Sequence, residues 1–302
     1  MKSYLGWAID FANPPGAPAF SGPDSVQWRV FKNPIALGVG GVAAVLLEFA
    51  DARIRSGVWD HSSFKVDPIG RSTRTGMAAM IGCYGPREAA RRVIQGVTNM
   101  HARVAGETPA GETYKALDPE LLDWVSATAG YGFLTAYDRF VSPLSAADKL
   151  RYYAEGQEVA QLYGVVTPLR SDADFFAMLA RLQPRFEPHP ILTEFLGIIQ
   201  ARKSLPGAPG PLRRALAKAA VSLLPADLRV TLALDSPAFS LSAFEHAALR
   251  TLGAIAERTP VPTSPPVEAC KRLGLPGDFL FRSQATQAKL LAYSSARGPA
   301  PR

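Results

Sequence analysis

Cysteine is nearly missing from this chain, with two in 302 residues, Cys83 and Cys270, far apart and without a CxxC spacing. A disulfide framework or a zinc ribbon is therefore not expected. Long apolar runs are missing too. The longest, Ile35 to Leu47, is 13 residues and stops at Glu48, against the roughly 20 that a spanning helix needs. The opening MKSYLGWAIDFANPPGAP has no continuous apolar stretch of the secretory kind. No GxxxxGK[ST], GxGxxG or GxSxG occurs, so neither a phosphate loop nor a nucleophile elbow is supported. Basic tracts are lacking as well. The net charge is +7, but the cations come as pairs such as Arg91-Arg92, Arg202-Lys203 and Arg213-Arg214, without interleaved aromatics. Nucleic acid is not an expected partner. The expected setting is soluble, reducing and cytoplasmic, without stable membrane insertion.

What is present is an ordinary globular balance of 47% apolar and 20% charged residues. Residues 1–33, rich in Pro, Gly and aromatics, read as an irregular N-terminal arm. Residues 34–256 carry helical patterning, and 257–302 read as a Pro-rich linker and a disordered tail. Pro34 fits a first-turn proline, and the run Gly38, Gly40, Gly41, Ala43 and Ala44 suits close helix packing. Pro86 opens a helix over 87–105, where Ala90, Ile94, Val97, His101 and Val104 repeat at steps of three and four. Asp118-Pro119 starts another helix that runs to about Phe140, and Ser145 starts one that ends near Tyr163. Further helices are expected near 171–182, 190–203, 209–223 and 241–256. No alternating strand pattern of useful length appears. The fold class expected is all-α, a single mostly helical domain.

Polar chemistry concentrates between Gly57 and Gly106. Two of the four histidines, His61 and His101, bracket Arg71, Arg74 and Thr75. On a helix, three- and four-residue spacing would set two guanidinium groups and a hydroxyl on one face. Such a pair either clamps a carboxylate or phosphate or is a pair of solvated surface arginines. His101 falls on an apolar stripe, where a histidine is more often a hydrogen-bonded core residue than a ligand. His61 fits a helix cap or a backbone contact equally well.

In chain order, NP…GG…LLE, GVxxHS, DPxxRxxRT, HxxVxG, DPELLxWVxAT, then PLS…YY…E, resemble the family of the latex clearing protein (rubber oxygenase) and MpaB-type oxygenases. The last elements are Asp118–Thr128, Pro143-Leu144-Ser145 and Tyr152-Tyr153-Ala154-Glu155. The resemblance covers roughly residues 33–235 and includes Ser222 to Arg229 near its end. It implies an all-α, globin-related arrangement around a pocket for haem b. The family's proximal iron ligand falls on His101, its arginine and threonine near the haem on Arg71 and Thr75, and a second threonine on Thr128. Arg71 is then expected to anchor a propionate or polarise dioxygen.

The chain departs from the family at several positions. Where relatives can carry a lysine that caps the distal iron face, this chain has Arg74, which has no free lone pair to give iron. The distal side is expected to be open or water-filled unless His61 reaches it, which would make the iron six-coordinate. Ser126 stands where many relatives have the histidine of WVHAT. Glu48 and Asp51-Ala52 replace the usual GGxxALLLQxAHP pattern, and Glu48 is a candidate base. The function expected is a haem-dependent oxygenase or oxidase using dioxygen on a small apolar substrate such as an alkene, isoprenoid or lipid-like chain. Rubber is not the expected substrate, given the missing secretion signal. A non-catalytic helical module that binds haem or a small apolar ligand is the alternative, and a structural helical protein without cofactor is a third reading.

Overall fold

The computed structural model describes the backbone of residues 2–4 and 7–297 and the side chains of residues 9–293. A two-stranded antiparallel ribbon opens it, β1 (Lys2–Tyr4) against β2 (Trp7–Ile9). Helix α1 (Val26–Phe31) follows, its first turn closed by the Ser25 hydroxyl, which accepts from the Trp28 amide. Helix α2 (Pro34–Glu48) is capped by Asn33 and begins on proline. Proline fits there because a first-turn amide has no helical partner to lose. Asp51 caps α3 (Ala52–His61), and Asp67 with Pro68 starts α4 (Pro68–Tyr84). Helix α5 (Arg87–His101) leads into a second small ribbon, β3 (Ala105–Glu107) with β4 (Thr113–Lys115).

The remaining elements are helical: α6 (Pro119–Phe140), α7 (Ala146–Leu162), α8 (Asp172–Leu182), α9 (Pro190–Gln200), α10 (Gly210–Leu223), α11 (Ala226–Thr231), α12 (Ala243–Ala256), α13 (Pro265–Arg272) and α14 (Gln284–Arg297). The fold is all-α apart from the two ribbons. No single described helix is long and apolar enough to cross a membrane.

Helices α2 and α6 form the spine of the core. They cross so closely that a Cβ on Gly40 would lie 2.7 Å from the Gly132 carbonyl oxygen, and one on Gly132 would lie 2.6 Å from the Gly40 oxygen. The crossing explains the small-residue run of α2, since only glycine on both sides lets two backbones meet at that distance. The Trp124 indole reinforces it, donating to the Leu47 carbonyl at 3.2 Å.

Two regions differ from the sequence expectation. The arm is not irregular throughout, because Val26, Trp28 and Val30 of α1 lie in the core, Trp28 edge-on to Tyr84. The segment after 257 is not a plain linker and tail. Pro265 and Pro266 occupy the first turn of α13, which their fixed φ favours, and the backbone of 294–297 ends α14. Residues 298–302 of the expected tail lie outside the described residues. The two ends of the chain meet at Arg272. Its fully buried guanidinium donates to the carbonyls of Phe11 at 2.6 Å, Ala17 at 2.8 Å and Tyr84 at 2.8 Å.

Asp51 has a plain structural role. Its carboxylate accepts from the Arg53 amide at 2.9 Å and from the buried Arg53 guanidinium at 2.7 Å and 3.1 Å, while Glu120 takes the same guanidinium at 2.9 Å. Asp51→Ala removes a cap and one partner of a buried cation. It is expected to cost about 2 kcal/mol, read as a lower denaturation midpoint at unchanged m-value.

Candidate functional site

Four elements bring the candidate groups together. Glu48 is the last residue of α2, Arg71 lies in the first turn of α4, His101 ends α5, and Thr128 sits one turn before the Gly132 crossing on α6. The α2–α6 crossing thus fixes Glu48 relative to Thr128. The Thr128 side chain is fully buried. Its Oγ1 donates to the Val125 carbonyl at 2.8 Å and lies 3.5 Å from Glu48 Oε1. A hydroxyl has one hydrogen to give, so the Val125 carbonyl and Glu48 Oε1 share it, with Glu48 at the longer and weaker distance.

Burial pushes the Glu48 carboxyl up to about 7, and the charge of Arg71 and the Thr128 hydroxyl hold it from rising further. His101 moves the other way. Burial first, then Arg71, lowers it from the ordinary histidine value, so the imidazole is neutral at pH 7 with a lone pair free. Arg71 is the common neighbour, a half-buried cation acting on both groups.

The other sequence candidates point elsewhere. Arg74 is drawn to the start of its own helix, where it donates to the Ser63 hydroxyl and lies 3.6 Å from Asp67. The pair Arg71 and Arg74 is therefore split between two environments. Thr75 is exposed, and its hydroxyl donates back to the Arg71 carbonyl at 3.2 Å. His61 is exposed, with its ring edge-on to Tyr114 at 6.1 Å. Ser126, at the position of the relatives' histidine, is half-buried. Sequence reasoning placed Glu48 only as a lone base. Its relation to Arg71 is long-range, and the one readable signal was an acid ending a 13-residue apolar run.

Two features of the donor set bear on a cofactor. Among the described residues, the His101 ring and the Arg71 guanidinium have no hydrogen bond and no ion pair within 4 Å. A half-buried imidazole and guanidinium left in this state suit a ligand that brings both an acceptor for a lone pair and a carboxylate. Among the described residues no three His, Cys, Asp or Glu side chains gather as a metal-binding group.

No curated protein and no solved structure matches the chain. The model of the family described as "ER-bound oxygenase mpaB/B'/Rubber oxygenase, catalytic domain" matches residues 28–257, from α1 to the end of α12, and so takes in Glu48, Arg71, His101 and Thr128. With well over half of its length matched, the chain belongs to the mpaB/rubber oxygenase catalytic-domain family, a family of oxygenases.

Proposed function

We propose that this chain is a haem b-dependent oxygenase or oxidase acting on an apolar alkene, isoprenoid or lipid-like substrate, with His101 as the iron ligand. The observation that carries the reading is the neutral, unpartnered imidazole of His101 beside the unpaired Arg71. A bare iron centre needs several protein ligands, commonly two histidines and a carboxylate. One histidine suffices when a porphyrin provides the remaining nitrogens, so the donor set fits haem. Haem, when bound, supplies the one-electron and dioxygen chemistry.

The protein's own contribution follows from the side chains. Arg71 holds a propionate carboxylate, and burial, with the Arg71 charge adding to it, keeps His101 unprotonated and able to ligate. Glu48, near half-protonated at pH 7, takes or gives a proton at its carboxyl oxygen, and the Thr128 Oγ1 positions that oxygen.

The test is an absorption spectrum of protein produced with ample haem. A Soret band is expected in the wild type and is expected to vanish in His101→Ala. Arg71→Ala is expected to keep the band but bind haem about tenfold more weakly, the loss of one charge-assisted contact. His61→Ala is expected to leave the spectrum unchanged, as its exposed place against Tyr114 suggests, whereas a change of spin state would make it a second ligand. A colourless protein that refuses added haem sinks the mechanism. A haem-loaded protein that consumes no oxygen with any of a broad alkene panel is instead a binding module.

A further inference from the structure

Helix α12 carries apolar side chains on both of its faces. The inward face holds Leu249, fully buried, and Gly253, whose carbonyl takes the Asn33 amide at 3.0 Å. The outward face is occupied by Phe244, 83% exposed, Ile255, 57% exposed, and Leu252, 37% exposed. With Ala248 and Thr251 between them, they fall at helical spacing on one stripe. Scattered exposed apolar residues are ordinary on a soluble protein, but a ridge of them on one helix is not.

Among the described residues, the charges of this segment left without an opposite partner have one sign. Arg250 and Arg258 are exposed on its flank. Both acids of the segment are half-buried and already paired. Glu245 closes the Ser242 cap and takes Lys218 at 2.9 Å, and Glu257 takes Tyr137 at 2.7 Å and Lys32 at 2.8 Å. His246 lies on the same helix, near Arg250 and near Arg139 of α6. Burial lowers its pKa, and the charges acting with burial are Arg139 and Arg250, both positive.

We propose that the outward face of α12 docks the protein onto an anionic lipid surface, with Phe244, Leu252 and Ile255 entering the interface and Arg250 and Arg258 meeting lipid headgroups. Charge decides between this occupant and a second copy of the chain. A twofold self-contact sets two patches that each carry Arg250 and Arg258 against one another, and like charges oppose it. An apolar ridge flanked by exposed arginines, with its nearby carboxylates already paired to Lys218 and Lys32, suits a helix that lies in a membrane interface. The proposal is independent of the haem reading.

Co-sedimentation of the full chain with vesicles tests it. Phosphatidylcholine vesicles containing phosphatidylserine are expected to pellet the protein, phosphatidylcholine alone much less, and added salt to weaken the binding. Arg250→Ala with Arg258→Ala is expected to reduce partitioning on the order of tenfold or more, at about 1 kcal/mol for each cation. Phe244→Ser with Ile255→Ser is expected to reduce it comparably. These side chains are exposed, so circular dichroism should show unchanged helix content in both variants. Binding that ignores phosphatidylserine, or variants that pellet like the wild type, overturns the proposal. So does a concentration-dependent dimer abolished by Phe244→Ser, which would assign the ridge to a second copy.

Discussion

Gly40→Ala is expected to destabilise the protein by about 3 kcal/mol, although helix propensity alone predicts a gain. Moving from glycine to alanine inside a helix is worth about 1 kcal/mol in favour of alanine. At Gly40 the new Cβ would sit 2.7 Å from the Gly132 oxygen and from the Phe133 Cα, both main-chain atoms that cannot swing aside. Helices α2 and α6 would have to separate, and overpacking of this kind costs more than propensity returns. The control lies two residues away on the same helix. A Cβ on Gly38 meets nothing within 4 Å, so Gly38→Ala is expected to be neutral or to stabilise by up to about 1 kcal/mol. Thermal unfolding of the two variants gives opposite signs if the crossing is as close as described. Equal shifts would show that α2 tolerates a wider crossing. Haem uptake should follow the same order, because Gly40 lies roughly two turns before Glu48.

Glu48→Gln is expected to make the haem-free protein more stable at pH 8 and to leave it nearly unchanged at pH 4. The carboxyl titrates near 4.5 when exposed and at about 7 in the fold. Between these values the folded state holds a proton that the unfolded state has released. Stability therefore falls as pH rises from 4.5 to 7 and is level above. The difference corresponds to about 3 kcal/mol at pH 8. Glutamine keeps the shape, has nothing to ionise, and should remove that slope. Urea midpoints at the two pH values decide it. The same gain at both would mean that packing, not ionisation, sets the cost of Glu48. Arg71→Ala in the same assay should steepen the decline with pH, because the cation that favours the carboxylate is gone.

Local chemistry made much of the fold readable. Asp118-Pro119 and Ser145 mark the starts of α6 and α7, because a cap side chain and a first-turn proline act within four residues of the helix end. The glycine run of α2 signalled a close approach, but not its partner. Gly132 is distant in sequence, and nothing near Gly40 names it. Helix α4 was harder to see. Its exposed turns are Ser, Thr, Arg and Gly, without an apolar stripe to set its bounds. Spacing set Arg71 and Arg74 three residues apart on a helix. It had no means of weighing Asp67 and Ser63, which draw Arg74 away. The prolines after 257 misled for a physical reason, since the same residue that breaks a helix interior also begins one. For the candidate site, the family pattern singled out His101, which periodicity alone read as a core histidine, whereas the link from Glu48 through Arg71 to His101 joins three helices and is visible only in three dimensions.

Arg272 sets an order of events during synthesis. It grips carbonyls that lie 255 and 261 positions earlier in the chain. At about 5–20 residues per second, the first segment is polymerised roughly 13–50 s before the residue that fastens it. Every residue of α2, α6 and the helices between them is polymerised within that interval. The spine can thus close before α13 exists, and the opening segment, already joined to the Arg87 amide through the Pro18 carbonyl at 2.8 Å, gains the Arg272 contacts only when α13 emerges.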